Sequence, residues 1–432
     1  MRKSTLLKAI APTLVLFSTQ AAALPFQSID PRSLAMGGVG VASGSTANAA
    51  FMNPALLSVA REGEDFSLEM PIMGFRINDP DSLRDEVDAY QDDNLEANLT
   101  DAINAFDAAI NSGNVAQIES TATEVGNASL AMSNQLEKFT NKAVQGELFG
   151  GVVIGIPSKK IGASLMLNGY IVGGGLVDYT EADQNLVDGI VDDAIATGTG
   201  ADPTALATNP TVAGQLNGTQ DVVDNLTSGL EGRGAAIVEV GISLSREVTI
   251  GGHDVAVGIT PKYVALETFD YRVDINTADF DASKGLNEYT DFNFDLGVAK
   301  DFGNGWKAGF VAKNLLANDY TTVRGNVIKI EPQLRAGVGM SNEWWSMAVD
   351  LDLVENEPVG FESKSQYLGL GAELDLFDTA QLRLGYRHNL SDSDSSIPTI
   401  GIGFSPFGLH ADFALAANST EIAASMQLGF RF

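Results

Sequence analysis

The sequence predicts an all-β fold: a transmembrane antiparallel β-barrel of about fourteen strands, with an N-terminal plug and helical extracellular insertions. Three observations carry that expectation. Segment after segment alternates strictly between apolar and polar residues, the period of a strand with two unlike faces. The links between segments are alternately short and mostly longer. The chain also ends on the alternating run SMQLGFRF, in which Met426, Leu428, Phe430 and Phe432 share one face and Gln427, Gly429 and Arg431 the other.

Taken in order, the chain opens with Arg2, Lys3 and Lys8, a short apolar run from Ala9 to Phe17, and Ala21-Ala22-Ala23. That is the pattern of a secretory signal peptide over residues 1–23. The run is too short to span about 30 Å of hydrocarbon, and its loss makes an already acidic chain more so. The net charge of -30 over 432 residues opposes binding to phosphate backbones and keeps exposed loops soluble. With no cysteine there are no disulfides and no thiolate chemistry. A mean hydropathy near zero excludes a bundle of membrane helices.

Residues 24–61 hold RSLAMGGVGVASGSTANAAFMNPALLSVA. Gly37, Gly38 and Gly40 permit tight passage or positive φ. No Walker lysine follows, so phosphate cradling is set aside. Asn53-Pro54-Ala55 reads as a turn, and the segment precedes the first strand, where it can sit in the lumen as a plug.

Residues 62–432 form the barrel. Expected strands cover 63–73, 147–157, 160–172, 235–247, 253–268, 290–301, 305–314, 332–341, 344–354, 366–377, 380–388, 397–404, 408–416 and 422–432. Helical insertions are expected at about 79–145 and 182–232. The first has Asp79 as N-cap, Pro80 at the first helical position, and apolar stripes at Leu83, Val87, Tyr90 and at Leu95, Leu99, Ile103, Phe106, Ile110. The second has a shorter stripe at Val187, Ile190, Val191 and Ile195. Both are placed outside the cell, as a cap over the mouth or as solvated decoration.

A sandwich and a barrel both show alternation. The links PSKK, TIGG, FGNG, SNE, DTA and SPFG follow every second strand, which is the parity of short periplasmic turns and longer outer loops. Trp306, Trp344 and Trp345 follow such turns, and Phe302, Phe377, Phe404 and Phe407 border them, as an interfacial girdle would. The polar faces are rich in glycine and carry Arg335, Asp350, Asp352, Glu373, Asp375, Arg383, Arg387 and Arg431. These lumen charges read as a selectivity surface or as ion pairs that stiffen the barrel.

Several of these stretches resemble a known family. The Met-Gly-Gly-X-Gly-Val-Ala run followed by Asn-Pro-Ala, the segment LRLGY at 382–386 and the strand IPTIGIGFSPFG are similar to FadL-type outer-membrane transporters. The match is closer to their TraF-like relatives, labelled conjugal transfer proteins, which share the NPALL start, an acidic helical insertion and AVDLDLVENEPVGF. The resemblance implies a fourteen-stranded barrel in a Gram-negative outer membrane. Gly37, Gly38, Gly40, Asn53, Pro54 and Ala55 would belong to the hatch, and hydrophobic molecules would pass through the lumen and out by a kink or gap in the wall. The alternative is an envelope barrel serving conjugation or structure, with no transport role. Expected partners are outer-membrane lipid, the barrel-assembly machinery through the strand ending at Phe432, and a hydrophobic ligand, but no nucleic acid.

No catalytic, cofactor or metal site is expected. His253, His388 and His410 lie in three separate regions with no nucleophile motif beside them and no His-Glu-X-X-His pattern. The loop carrying Asp392 and Asp394 lacks the spacing of a calcium loop and reads as solvated.

Overall fold

The structure, a computed structural model, describes residues 26, 30–59, 65–218, 225–274, 282–357, 359–377, 379–392 and 395–431. The signal-peptide segment 1–23, Asp394 and the terminal Phe432 lie outside the described residues.

Fourteen strands close into one antiparallel barrel. In chain order these are β1 (Ser67–Asn78), β2 (Ala143–Ile156), β3 (Gly162–Asp178), β4 (Gly229–Ile250), β5 (His253–Asp274), β6 (Leu286–Asp301), β7 (Trp306–Lys313), β10 (Gln333–Ser341), β11 (Trp345–Asp352), β12 (Tyr367–Leu376), β13 (Ala380–Asn389), β14 (Ile397–Phe404), β15 (Leu409–Ala417) and β16 (Glu421–Arg431). Between β7 and β10 the chain makes a separate hairpin, β8 (Asn318–Thr321) with β9 (Val327–Ile330). First and last strands close the cylinder, with Ile77 opposite Ile422 and Ser67 opposite Arg431. Pro71 has no N–H for the ladder, and the register of β1 shifts between Glu69 and Ile72 against both neighbours.

Alternation resolves as the sequence implies. Met426, Leu428 and Phe430 of β16 are exposed while Gln427 is buried; in β11 Met347, Val349 and Leu351 are exposed while Asp350 and Asp352 are buried. An apolar outside around a charged inside inverts the arrangement of a water-soluble barrel and matches what hydrocarbon requires, with every interior ladder bond made inside the cylinder. No helix among the described residues is long and apolar enough to cross a membrane.

Strand limits differ from expectation on the long-loop side. β1 was expected over 63–73 and runs over Ser67–Asn78; β3, expected to stop at 172, continues to Asp178; β4 starts at Gly229 rather than 235, and β5 continues to Asp274 rather than 268. These extensions carry Gly173-Gly174-Gly175 and Glu231-Gly232-Arg233, without apolar alternation. At about 3.3 Å per residue the 22-residue β4 and β5 reach roughly 70 Å, far beyond the hydrocarbon. Beyond the lipid there is no reason for one face to be greasy.

The insertions are helical: α3 (Leu83–Asp92), α4 (Leu95–Ser112) and α5 (Val115–Phe139) in the first, α6 (Glu181–Gly198), α7 (Ala205–Thr208) and α8 (Pro210–Leu216) in the second. They pack on each other over a shared core that includes Leu99, Ile103, Phe106, Val125, Ile190 and Leu206. Val187 and Ile190 are buried as the stripe implies, but Ile195 is exposed. The first helix starts at Leu83, not Pro80; the Asp79 carboxylate still caps it, accepting from the N–H of Leu83 at 2.7 Å and of Arg84 at 3.0 Å. Asp183 ties the layer down. Its buried carboxylate accepts from the N–H of Thr227 (2.8 Å), the N–H of Ser228 (2.7 Å) and both hydroxyls.

Candidate functional site

The plug enters the barrel with α1 (Pro31–Ala35) against β13 to β16 and the turn Pro54–Ser58 against β3 to β6. Gly37 and Gly38 have φ of 72° and 86°, values that a side chain rarely tolerates. The reason for the glycine-rich wall is then visible. A Cβ on Gly385 would lie 2.2 Å from the amide nitrogen of Gly37, one on Gly371 2.4 Å from the carbonyl oxygen of Met36, and one on Gly258 2.5 Å from the nitrogen of Ala55. The inner face lacks side chains where plug backbone occupies the room.

Wall and plug also exchange hydrogen bonds. The N–H groups of Gly40 and Val41 both donate to Asp350 Oδ2, at 2.7 and 2.9 Å. The amides that a phosphate would use are thus satisfied by a wall carboxylate. Asn53 donates through Nδ2 to the carbonyls of Val41 (2.8 Å) and Val298 (3.1 Å) and accepts from the N–H of Ala55 through Oδ1. Arg32 donates to Glu373 through two nitrogens at 2.9 Å, a forked contact that clamps α1 to β12.

The lumen charges form ion pairs. Arg335 meets Asp352 at 2.5 Å and donates to the Gly38 carbonyl; Arg383 bridges Glu373 and Asp412; Arg387 pairs with Glu421; Arg431 pairs with Glu69 at 3.0 Å. Asp375 lies beside Gln381, which reaches it through Nε2. Three of the five carboxylate partners, Glu69, Asp412 and Glu421, were not singled out from sequence. A signal was available for Glu69 and Asp412, which lie between apolar neighbours. Arg76 and Glu362 were missed too. Arg76 contacts Glu147, Glu362 and Glu421 at 2.8, 2.7 and 3.1 Å. On the short-turn side of the plug a polar cavity of about 700 Å³ is lined by Arg32, Trp344, Glu373, Arg383 and Arg431, among others.

Above the plug the inner face changes character on β3 to β5. Tyr170, Val172, Ala235, Ile237, Val264 and Leu266 point inward and are buried, while the alternate residues Ile171, Val238 and Tyr263 are exposed outside. This apolar band is covered from within the lumen. Tyr320, Ile328 and Ile330 of the β8–β9 hairpin pack on it, joined by Val359 from the link between β11 and β12. That link crosses to the far side of the barrel: Gln145 of β2 donates to the Val359 carbonyl at 2.6 Å, Phe361 lies under Arg233 of β4, and Glu362 reaches Arg76 of β1. Two modest links therefore fill the upper lumen, where the sequence led us to expect only the N-terminal plug inside and the long insertions as a cap or decoration outside.

Fold and site together define a plugged membrane β-barrel whose upper lumen is apolar. The chain matches the family model described as F plasmid transfer operon, TraF, protein over residues 50–352, and it belongs to that family. No curated protein matches the sequence. Among solved structures it is similar to the TodX deltaS2S3 mutant monoaromatic hydrocarbon channel, with a TM-score of 0.51 at 11% identity, covering 93% of this chain and 99% of that one. A Pseudomonas aeruginosa FadL homologue has a TM-score of 0.48 at 10% identity, with 95% and 99% covered. The Pseudomonas putida toluene transporter TodX has 0.46 at 12%, with 95% and 98% covered. At 11% identity the likeness to the first of these shows a common fold.

Proposed function

We propose that this barrel sits in an outer membrane and passes hydrophobic small molecules by diffusion. The observation that carries the reading is the inward-facing apolar band of β3 to β5, because a water-filled pore would need polar residues there. Hydrocarbon channels of the same fold support it. An exit would lie close by. Gly150 and Gly169 leave a notch of about 650 Å³ on the lipid side, flanked by Met73, Leu148 and Met426, directly behind Phe149 and Tyr170. The register shift at Pro71 lies in the adjoining strand. The aromatic residues at the short turns would anchor the barrel in lipid, and the strand leading to Phe432 would present it to the assembly machinery. The test is uptake of toluene by cells producing the barrel in place of their own hydrocarbon channels. Uptake equal to that of cells lacking any channel sinks the proposal.

A second reading is a scaffold for conjugation, the setting named by the family description. The observation favouring it is the helical layer, which has its own core apart from the lumen. Loss of plasmid transfer on removing residues 83–139, with toluene uptake intact, would establish that role.

A further inference from the structure

The β8–β9 hairpin is an unusual tenant. Its two four-residue strands pair only with each other, so no barrel ladder depends on it. It nevertheless inserts one phenol ring and two branched aliphatic chains, Tyr320, Ile328 and Ile330, into the apolar band, all at 2–4% exposure. Its polar attachments lie mostly at the rim: Thr322 and Asn326 donate to Asp270 at 2.6 and 2.8 Å, Arg324 to Glu231 at 3.0 Å, and Tyr289 to the Thr321 carbonyl at 2.6 Å. One lies deeper, from the Tyr320 hydroxyl to Asp291 of β6. Beneath the band lies a charged floor, with Lys262 Nζ between two carboxylates, 2.9 Å from Glu239 and 3.1 Å from Asp295.

We infer that the hairpin occupies the barrel's own ligand site, standing in for an uncharged aromatic or branched hydrocarbon that must displace it to pass. The inference rests on the transport reading above and narrows it. Apolar walls select an apolar guest, and the ring and branched chains that fill them report its shape. The lysine of the floor is already taken by two carboxylates, so nothing there receives an anionic head, and an unpaired charge brought there would be costly. The hairpin can leave because what holds it is a few hydrogen bonds and one packed face. Its ends permit clean removal, since Asn318 and Ile330 are register partners and a short Gly-Ser linker can replace residues 318–330.

Two dyes with a common core test this in whole cells: uncharged N-phenylnaphthylamine and its anionic relative anilinonaphthalene sulfonate, whose fluorescence rises on crossing the outer membrane. The hairpin-deleted barrel should admit the uncharged dye about tenfold faster than the intact protein, the scale expected when an occluded state dominates. It should still exclude the sulfonate. A cysteine pair, Asp270→Cys with Thr322→Cys, is the only pair in a chain without cysteine. Oxidised, it should hold entry at the level of cells without the barrel; reduced, it should restore entry. Heat-modifiable gel mobility confirms that each variant is folded. If the intact barrel admits the uncharged dye and neither deletion nor tethering changes the rate, the hairpin is a fixed part of the wall and this inference fails while transport stands. If the sulfonate enters the deleted barrel as fast as the neutral dye, the ligand class assigned here is wrong. If no variant, deleted or reduced, admits either dye, the transport reading itself falls.

Discussion

One side of this barrel is tall and the other low, and the two walls do different work. Strands β2 to β6 run for 14 to 22 residues. Strands β7 and β10 to β15 run for 8 to 10, close to the 9–11 or so that crossing a bilayer demands. The low wall is spent on its plug contacts, glycine against backbone and arginine against carboxylate. The tall wall also grips the plug at its base, through Gly258 and Gly297, but above it has room for a second storey, and there its inner face is apolar. The parts that cover that storey are rooted in the low wall, in the links after β7 and β11. The lumen is thus rigid where charge fixes it and closed by detachable parts where it is greasy.

The sharpest way to break this contrast is to add volume on each side. Gly385→Leu drives a side chain into the backbone of Met36 and Gly37. It should cost about 3 kcal/mol or more, or prevent assembly, since neither backbone can move aside. Gly169→Ala on the lipid side of the tall wall meets nothing closer than 4.0 Å and should stay within about 0.5 kcal/mol of the parent. Urea midpoints of the refolded barrel in detergent compare them. Equal losses would mean that the glycines serve the strands and not the plug.

Next in size is Arg76→Ala. It strands the carboxylates of Glu147 and Glu362 and leaves Glu421 with Arg387 alone. Breaking a buried charge cluster from one side costs about 3–5 kcal/mol. Because Glu362 is held to Arg76, the link between β11 and β12 should also loosen. Limited proteolysis would then cut within residues 353–366 in the variant and not in the parent. A link that stays resistant would show that Val359 and Phe361 hold it without the ion pair.

Asn53→Ala is smaller and local to the hatch. It removes both donors to the Val41 and Val298 carbonyls and the acceptor for Ala55 N–H. Leaving buried backbone groups unpaired costs about 1–3 kcal/mol. Ion leakage through the reconstituted barrel should rise as the turn at Pro54 loosens. Leakage unchanged from the parent would separate the asparagine from hatch closure.

The walls were not equally readable from sequence. Alternation and link parity delivered the low wall almost residue for residue: β14 was expected over 397–404 and lies at Ile397–Phe404. Those strands end where the lipid ends, so pattern and structure stop together. The tall wall continues beyond lipid, and there the pattern has no physical cause to persist. The apolar band was visible as letters, because Ile237 and Val264 lie in segments read as strands. With both faces apolar at those positions, though, periodicity could not say that one of them faced a lumen. The plug glycines announced close backbone approach, but not what approached, since the partners Gly371 and Gly385 are over 300 residues away. The hairpin's own alternation, Ile328 and Ile330 against Val327 and Lys329, was short enough to pass for a loop.

The smallest expected effect concerns the helical layer above the tall wall and sets the limit of the comparison. Burial alone would raise the Asp183 carboxyl, but hydrogen bonds from Ser228 and Thr227 outweigh it and hold the group below the usual carboxylate range. A carboxylate whose pKa is lower folded than unfolded stabilises fully above its unfolded pKa of about 3.9. That contribution is lost as pH falls through the folded value. Protection factors in α6, which remove the pH dependence of the intrinsic exchange rate, should therefore fall on acidification from neutral pH to below that value, ahead of those in the barrel strands. Asp183→Asn keeps one carbonyl acceptor but not the charge. It should weaken the layer by about 1 kcal/mol at neutral pH and flatten its acid response. The inner storey, packed by Tyr320 and Ile328, should not notice either change. If exchange in β8 and β9 rises together with that in α6, the layer and the hairpin are one unit, and the hairpin is not the independently detachable part that the two-walled barrel requires.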